Sequence, residues 1–173
     1  ALLLALKSTT VSIPNFISLE QSLQQALDRN AILGLDGGGI YVDKVTGKQP
    51  IAIVLPGIMG SNLDQGNKKI WINYLRFLVG DLSKLDISRK DISASSIIKT
   101  SYEKFVNYLK TEYDVVTFPF DWRMPMAEAA ELLKAKIEQC LVFKVPIKII
   151  GHSLGDVVTR DFIINHPATW KKL

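Results

Sequence analysis

The chain has 173 residues, 47% of them hydrophobic, and a formal charge of +4. That is enough apolar content for one globular domain with a sizeable core, and too much for a disordered tail. Its 21 basic residues are spread along the chain rather than gathered in a block, which argues against nucleic acid as a partner and leaves only a mild attraction to anionic lipid surfaces. The lone cysteine, Cys140, rules out an intrachain disulfide, and the leading apolar run, residues 1–6, is too short to cross a bilayer. The compartment stays open, with secretion neither required nor excluded.

Taken in order, Ser18-Leu19-Glu20-Gln21 has the spacing of a capping box, and Ile17, Leu23, Ala26 and Leu27 follow at helical intervals, so a short helix is expected over 19–29. Residues 31–35 and 40–45 flank Asp36-Gly37-Gly38-Gly39, with a further turn at Thr46-Gly47-Lys48. They read as a hairpin leading into the main sheet. The domain plan is accordingly an amino-terminal helix and hairpin over 1–50, followed by the main domain over 51–173.

Ile51 to Leu55 is a continuous apolar run, the signature of a strand buried on both faces. Pro56-Gly57-Ile58-Met59-Gly60-Ser61-Asn62 then places a turn at the carboxyl edge of a parallel sheet. Residues 68–80, KKIWINYLRFLVG, put Trp71, Tyr74, Leu75 and Leu78 on one helical stripe with Gly80 as cap, which suits a core helix or a lid lining an acyl site. Residues 81–99 are rich in Ser, Asp and Lys and read as loop, making 64–99 a candidate cap.

Thr100-x-x-Glu103 is a second capping box, and Tyr102, Phe105, Val106 and Leu109 follow the spacing of a helix packed on a sheet. Asp114 to Phe120 is the next expected strand. It ends in Asp121-Trp122-Arg123, where Asp121 and Arg123 are read as structural support that holds a loop rather than as catalytic groups. A helix over Met126 to Val142 turns Ala130, Leu133, Ile137 and Leu141 inward, with Cys140 close to that stripe as an inert core residue.

Ile147 to Ile150 is a second apolar run that reads as a short buried strand, and it passes through Gly151-His152-Ser153-Leu154-Gly155 into a helical segment that Pro167 stops. This strand, G-x-S-x-G, helix order is what a serine nucleophile needs, because its hydroxyl must stand exposed at a sharp turn beside an oxyanion site. Gly151 and Gly155 remove the Cβ atoms that would collide where strand and helix approach. The N–H groups of Leu154 and Ile58 are the candidate oxyanion donors. The alternation from Ile51 to Asn165 has the grammar of a mostly parallel, doubly wound α/β sheet with flanking helices.

Together, Leu55-Pro-Gly-Ile-Met-Gly-Ser-Asn-Leu63, Trp71, Gly80-Asp81-Leu82, Phe118-Pro-Phe-Asp-Trp-Arg123, Gly151-His-Ser-Leu-Gly155 and Pro167-Ala-Thr-Trp-Lys171 resemble the lecithin:cholesterol acyltransferase-like proteins in order and spacing. The resemblance covers about 51–173. It implies an α/β-hydrolase fold, a Ser-Asp-His triad with Ser153 as nucleophile, a lid around Trp71, Tyr74 and Leu75, a lipid ester substrate and contact with a membrane or lipid particle. The implied chemistry is hydrolysis of an acyl ester or transfer of the acyl group to an alcohol, with no cofactor and no metal.

The expected acid and histidine are not found after Ser153. His166 lies about 18 Å away along a helix at about 1.5 Å per residue, and His152 is expected to point away from Ser153. The carboxyl-terminal strands, acid and base are therefore expected beyond Leu173, in a fragment that completes the fold. Asp156, close to the oxyanion site, is expected to pair with Arg160 one turn on. Two rival readings stand beside this one. They are a non-catalytic lipid-binding or scaffold relative, and a patatin-like phospholipase with a Ser-Asp dyad and Asp36-Gly37-Gly38-Gly39 as its oxyanion loop.

Overall fold

A computed structural model describes residues 38–72 and 81–173. The helix expected over 19–29, the segment 31–37 and the positions Tyr74, Leu75, Leu78 and Gly80 lie outside the described residues. Among those described, no helix is long and apolar enough to cross a membrane.

The centre of the chain is the strand β2, Ile51–Leu55, in which every residue is buried. Such a run forms where a strand is covered on both faces and paired on both edges. Its neighbours are β6, Asp114–Thr117, and β7, Ile147–Gly151, and both pairings are parallel, giving a three-stranded sheet in the order β6-β2-β7. On one face the helices α2, Met126–Leu141, and α3, Leu154–Asn165, contribute Ala130, Leu133, Ile137, Cys140, Val158 and Phe162 to a core with Ile51, Ile53 and Leu55. Burial pushes the Cys140 thiol above its ordinary pKa, as desolvation of a thiolate requires. On the other face α1, Lys99–Leu109, packs Tyr102, Val106 and Leu109 over Ala52, Val54 and Val115. A short helix, α4, Pro167–Trp170, follows His166.

The expected single, mostly parallel sheet is only part of the architecture. A second, antiparallel sheet of four strands has the order β1-β5-β3-β4: β1 is Gly39–Ile40, β3 Ser61–Gln65, β4 Lys68–Trp71 and β5 Ser93–Ile98. The helix expected over 68–80 is therefore wrong at its start. Residues 68–71 pair with β3 across the two-residue turn Gly66-Asn67, where Gly66 takes φ +57°, and Gly-Asn between two strands is itself a hairpin signal. The expected loop over 81–99 holds a 3₁₀ helix, Asp81–Leu85, and the strand β5. The described arm of the expected hairpin is divided between two partners. Gly39 and Ile40 pair with β5, while Asp43 bridges Val116 of β6 and Thr117 N–H donates to the Val42 carbonyl at 2.8 Å.

Three smaller corrections follow the same lines. The capping box at Thr100 does not form: α1 is preceded by Ile98 and has no side-chain cap. Phe105, expected on the inward face of α1, is 41% exposed. The strand expected over 114–120 ends at Thr117, after which Phe118 and Phe120 stay buried in the core and stack at 6.4 Å.

Candidate active site

β7 passes directly into α3 through His152 and Ser153. His152 N–H donates to the Leu55 carbonyl at 3.1 Å and extends the parallel ladder by one bond. The chain then reverses within one residue: Ser153 has φ +52° and ψ −112°. A side chain in that region costs about 1–3 kcal/mol, and persists where surrounding structure holds it. Here the holding groups are Gly155 N–H to the His152 carbonyl at 2.9 Å and Asp156 N–H to the Ser153 carbonyl at 3.0 Å. Ser153 is exposed, and its hydroxyl has no partner among the described residues.

The two flanking glycines are required by contact. A Cβ on Gly155 would lie 2.8 Å from Leu55 Cβ and from the carbonyl oxygens of Leu55 and Pro56, so only glycine lets α3 approach the end of β2. A Cβ on Gly151 would lie 2.5 Å from Asp156 Oδ1 and 2.7 Å from its nitrogen. The Asp156 carboxylate thus sits over Gly151. The pairing expected with Arg160 is not made, because among the described residues no ion pair joins them.

The loop after β2 faces this turn. Gly57 to Gly60 is a tight turn closed by Gly60 N–H to the Gly57 carbonyl at 2.9 Å, with Met59 at φ +59°. That φ at the third position of a turn normally selects glycine. A Cβ on Gly57 would lie 3.3 Å from Ser153 Cβ, so the loop and the serine are in contact. Neither Ile58 N–H nor Leu154 N–H is engaged by an acceptor among the described residues. The two candidate donors are free, one on each side of that contact.

Trp71 braces the loop from β4 by donating its indole N–H to the Met59 carbonyl at 2.8 Å, and meets Trp122 edge-on at 5.4 Å. Asp121 accepts from the Arg123 N–H at 3.0 Å and pairs with its guanidinium at 2.6 Å, and Arg123 Nη1 donates in turn to the Asp86 carbonyl at 2.9 Å. Beside the loop lies a cavity of about 520 Å³ lined mostly by apolar groups, among them Val54, Ile58, Met59, Phe105 and Ile150, with His152 also in the lining. Trp71, expected to line an acyl site, does not line this one.

Neither histidine hydrogen-bonds to Ser153. His152 Nδ1 lies 2.9 Å from the Tyr102 hydroxyl, and His166 Nε2 lies 3.0 Å from Glu131 at the far end of α3. Gly38 and Gly39 pack against Lys99, Ser96 and Asn62, so these two glycines of the patatin-like reading adjoin β5 and β3. Among the described residues no group of three His, Cys, Asp or Glu side chains is arranged to hold a metal ion. Tyr102 is the member of the site that the sequence pattern assigned to packing alone. Its signal was a tyrosine at a buried helix position, whose hydroxyl requires a partner.

Fold and site define an α/β protein that presents a serine at a strained strand-to-helix turn, faced by a glycine-bounded loop. The model of the lecithin:cholesterol acyltransferase family matches residues 81–172, more than half of the chain. The chain belongs to that family, whose chemistry is acyl transfer and ester hydrolysis on lipids. No curated protein and no solved structure matched it.

Proposed function

We propose that this protein is a serine-dependent lipid acyl-ester hydrolase or O-acyltransferase on an α/β-hydrolase framework, working through an acyl-enzyme on Ser153. The observation that carries the reading is the contact between the strained Ser153 turn and the Gly57–Gly60 loop, with free N–H groups of Ile58 and Leu154 beside it. Ser153 Oγ attacks the ester carbonyl as a histidine takes its proton. The oxyanion forms against the Ile58 and Leu154 N–H groups, the bond to the alcohol breaks, and that alcohol leaves with the proton. Water or an acceptor alcohol then attacks the acyl-enzyme, and Ser153 recovers its proton. The apolar cavity is the candidate seat of the acyl chain, by its size and lining.

In this reading the base is neither His152, whose Nδ1 meets the Tyr102 hydroxyl, nor His166, which pairs with Glu131. It comes with a segment outside these residues that pairs along the outer edge of β7, whose residues Ile149 and Ile150 are only partly buried while those of β2 are fully so. Lipid-particle or membrane contact belongs to the same reading, because the substrate resides there.

The test is covalent. A fluorophosphonate should label the active full-length protein at Ser153, and Ser153→Ala should abolish both labelling and turnover of a lipid ester. Labelling that survives the substitution would overturn the assignment.

A further inference from the structure

Tyr102 stands on the face of α1 that covers the parallel sheet and is 9% exposed. Its hydroxyl reaches both halves of the site. It accepts from Gly57 N–H at 2.9 Å and lies 2.9 Å from His152 Nδ1, with the two rings edge to face at 5.9 Å and 68°. It also fills the space against Gly60, where a Cβ would sit 2.9 Å from the hydroxyl oxygen. Proton accounting sets the direction of the chain. Gly57 N–H can only donate, so the phenol oxygen accepts there, and a buried phenol still has its own proton to place. His152 Nδ1 is the acceptor in reach, which leaves the imidazole proton on Nε2.

We propose that Tyr102 and His152 are positioning residues that hold the oxyanion loop in register with the serine turn, an inference that rests on the serine acyl-transfer reading above. The Ile58 N–H is the next peptide along from the clamped Gly57 N–H, while His152 is the residue before Ser153. One hydroxyl therefore ties the loop carrying one donor to the turn carrying the nucleophile and the other donor. The clamp is needed because Met59 holds φ +59°, and a loop with that strain relaxes when its end is released. A shift of about 1 Å at such a site is enough to cost about 10²-fold in rate.

The test uses the full chain and a lipid ester. Tyr102→Phe should lower kcat by about 10-fold or more and leave KM within about twofold, because the lost interaction serves the transition state. His152→Leu should do the same, and the double variant should lose no more than either single one, as partners in one hydrogen bond do. His152→Gln, whose amide oxygen can accept from Tyr102, should recover most of the loss. Near-normal kcat in Tyr102→Phe, with Ser153→Ala inactive, would overturn the clamp and leave the serine reading standing; full turnover in Ser153→Ala would overturn both. Should the variants fail to fold, ¹⁵N NMR of the unaltered protein decides it. His152 is expected with Nδ1 unprotonated and Nε2 protonated, and the opposite tautomer overturns the proposal.

Discussion

The two sheets are built on opposite terms, and the loop that joins them is the one the site depends on. The parallel sheet is apolar at its centre: β2 is Ile-Ala-Ile-Val-Leu, fully buried, and full burial contributes about 1.5–3 kcal/mol for each large aliphatic side chain. The antiparallel sheet carries polar side chains among its most buried positions. Ser61 and Asn62 open β3 at 0% exposure, and each is held by named bonds. Ser61 Oγ accepts from Phe120 N–H at 3.1 Å, and Asn62 Nδ2 donates to the Gly38 carbonyl and to Ser96 Oγ, both at 2.9 Å. Hydrophobic burial thus presents the serine from one sheet, whereas directional bonds fix the far end of the Pro56–Gly60 loop in the other. The first arrangement tolerates conservative apolar exchange, and the second is sensitive to loss of a single partner.

The largest expected effect breaks the parallel side. Gly155→Val places a branched side chain where even a Cβ would meet Leu55 and Pro56 at 2.8 Å, forcing α3 off the sheet. Turnover should fall by about 10³-fold or more, the scale of losing the nucleophile's environment, with a lower melting temperature by circular dichroism. A Gly155→Val enzyme with normal kcat would mean that the helix does not depend on this approach.

Next comes the loop itself. Ile58→Pro deletes one free N–H, and steady-state kinetics should show kcat lower by about 10²-fold, the usual cost of one oxyanion donor. Unchanged kcat in a folded variant would remove Ile58 from the site.

Asn62→Leu then tests the antiparallel brace. It keeps the volume but removes the bonds of Asn62 to the Gly38 carbonyl, to Ser96 Oγ and to the Ile72 N–H, which donates to Asn62 Oδ1 at 3.3 Å. Denaturant unfolding should report a loss of about 1–3 kcal/mol, and the loss in kcat should be smaller than for Ile58→Pro. A stability equal to wild type would show that β3 is held by its ladder alone.

The smallest effect is expected from Arg160→Ala. Arg160 makes no ion pair with Asp156 in the structure, so kcat/KM should stay within about twofold, as for a surface substitution away from any special contact. A tenfold fall would restore the charge compensation that the sequence spacing suggested.

Local sequence determined the elements whose signal is carried by their own residues. A continuous apolar run marked β2, helical spacing marked α1 and α2, and the glycines around Ser153 marked the strained turn, because burial on both faces, helical periodicity and missing Cβ atoms are all written in neighbouring positions; β7, read as a buried strand, is buried only at Ile147 and leaves Lys148 exposed. Tertiary structure alone decided the rest. Ser-Asn-Leu-Asp-Gln and Ser-Ala-Ser-Ser-Ile-Ile have little intrinsic strand character. They become β3 and β5 because each finds partners distant in sequence, with Ser61 opposite Ile97 and Asn62 opposite Ser96. The same holds for Tyr102, which helical spacing placed in the core and which contact with Gly57 and His152 placed in the site. A residue's own neighbours set whether it can be buried or turned. Which polar group it meets there is set by chain segments tens of residues away.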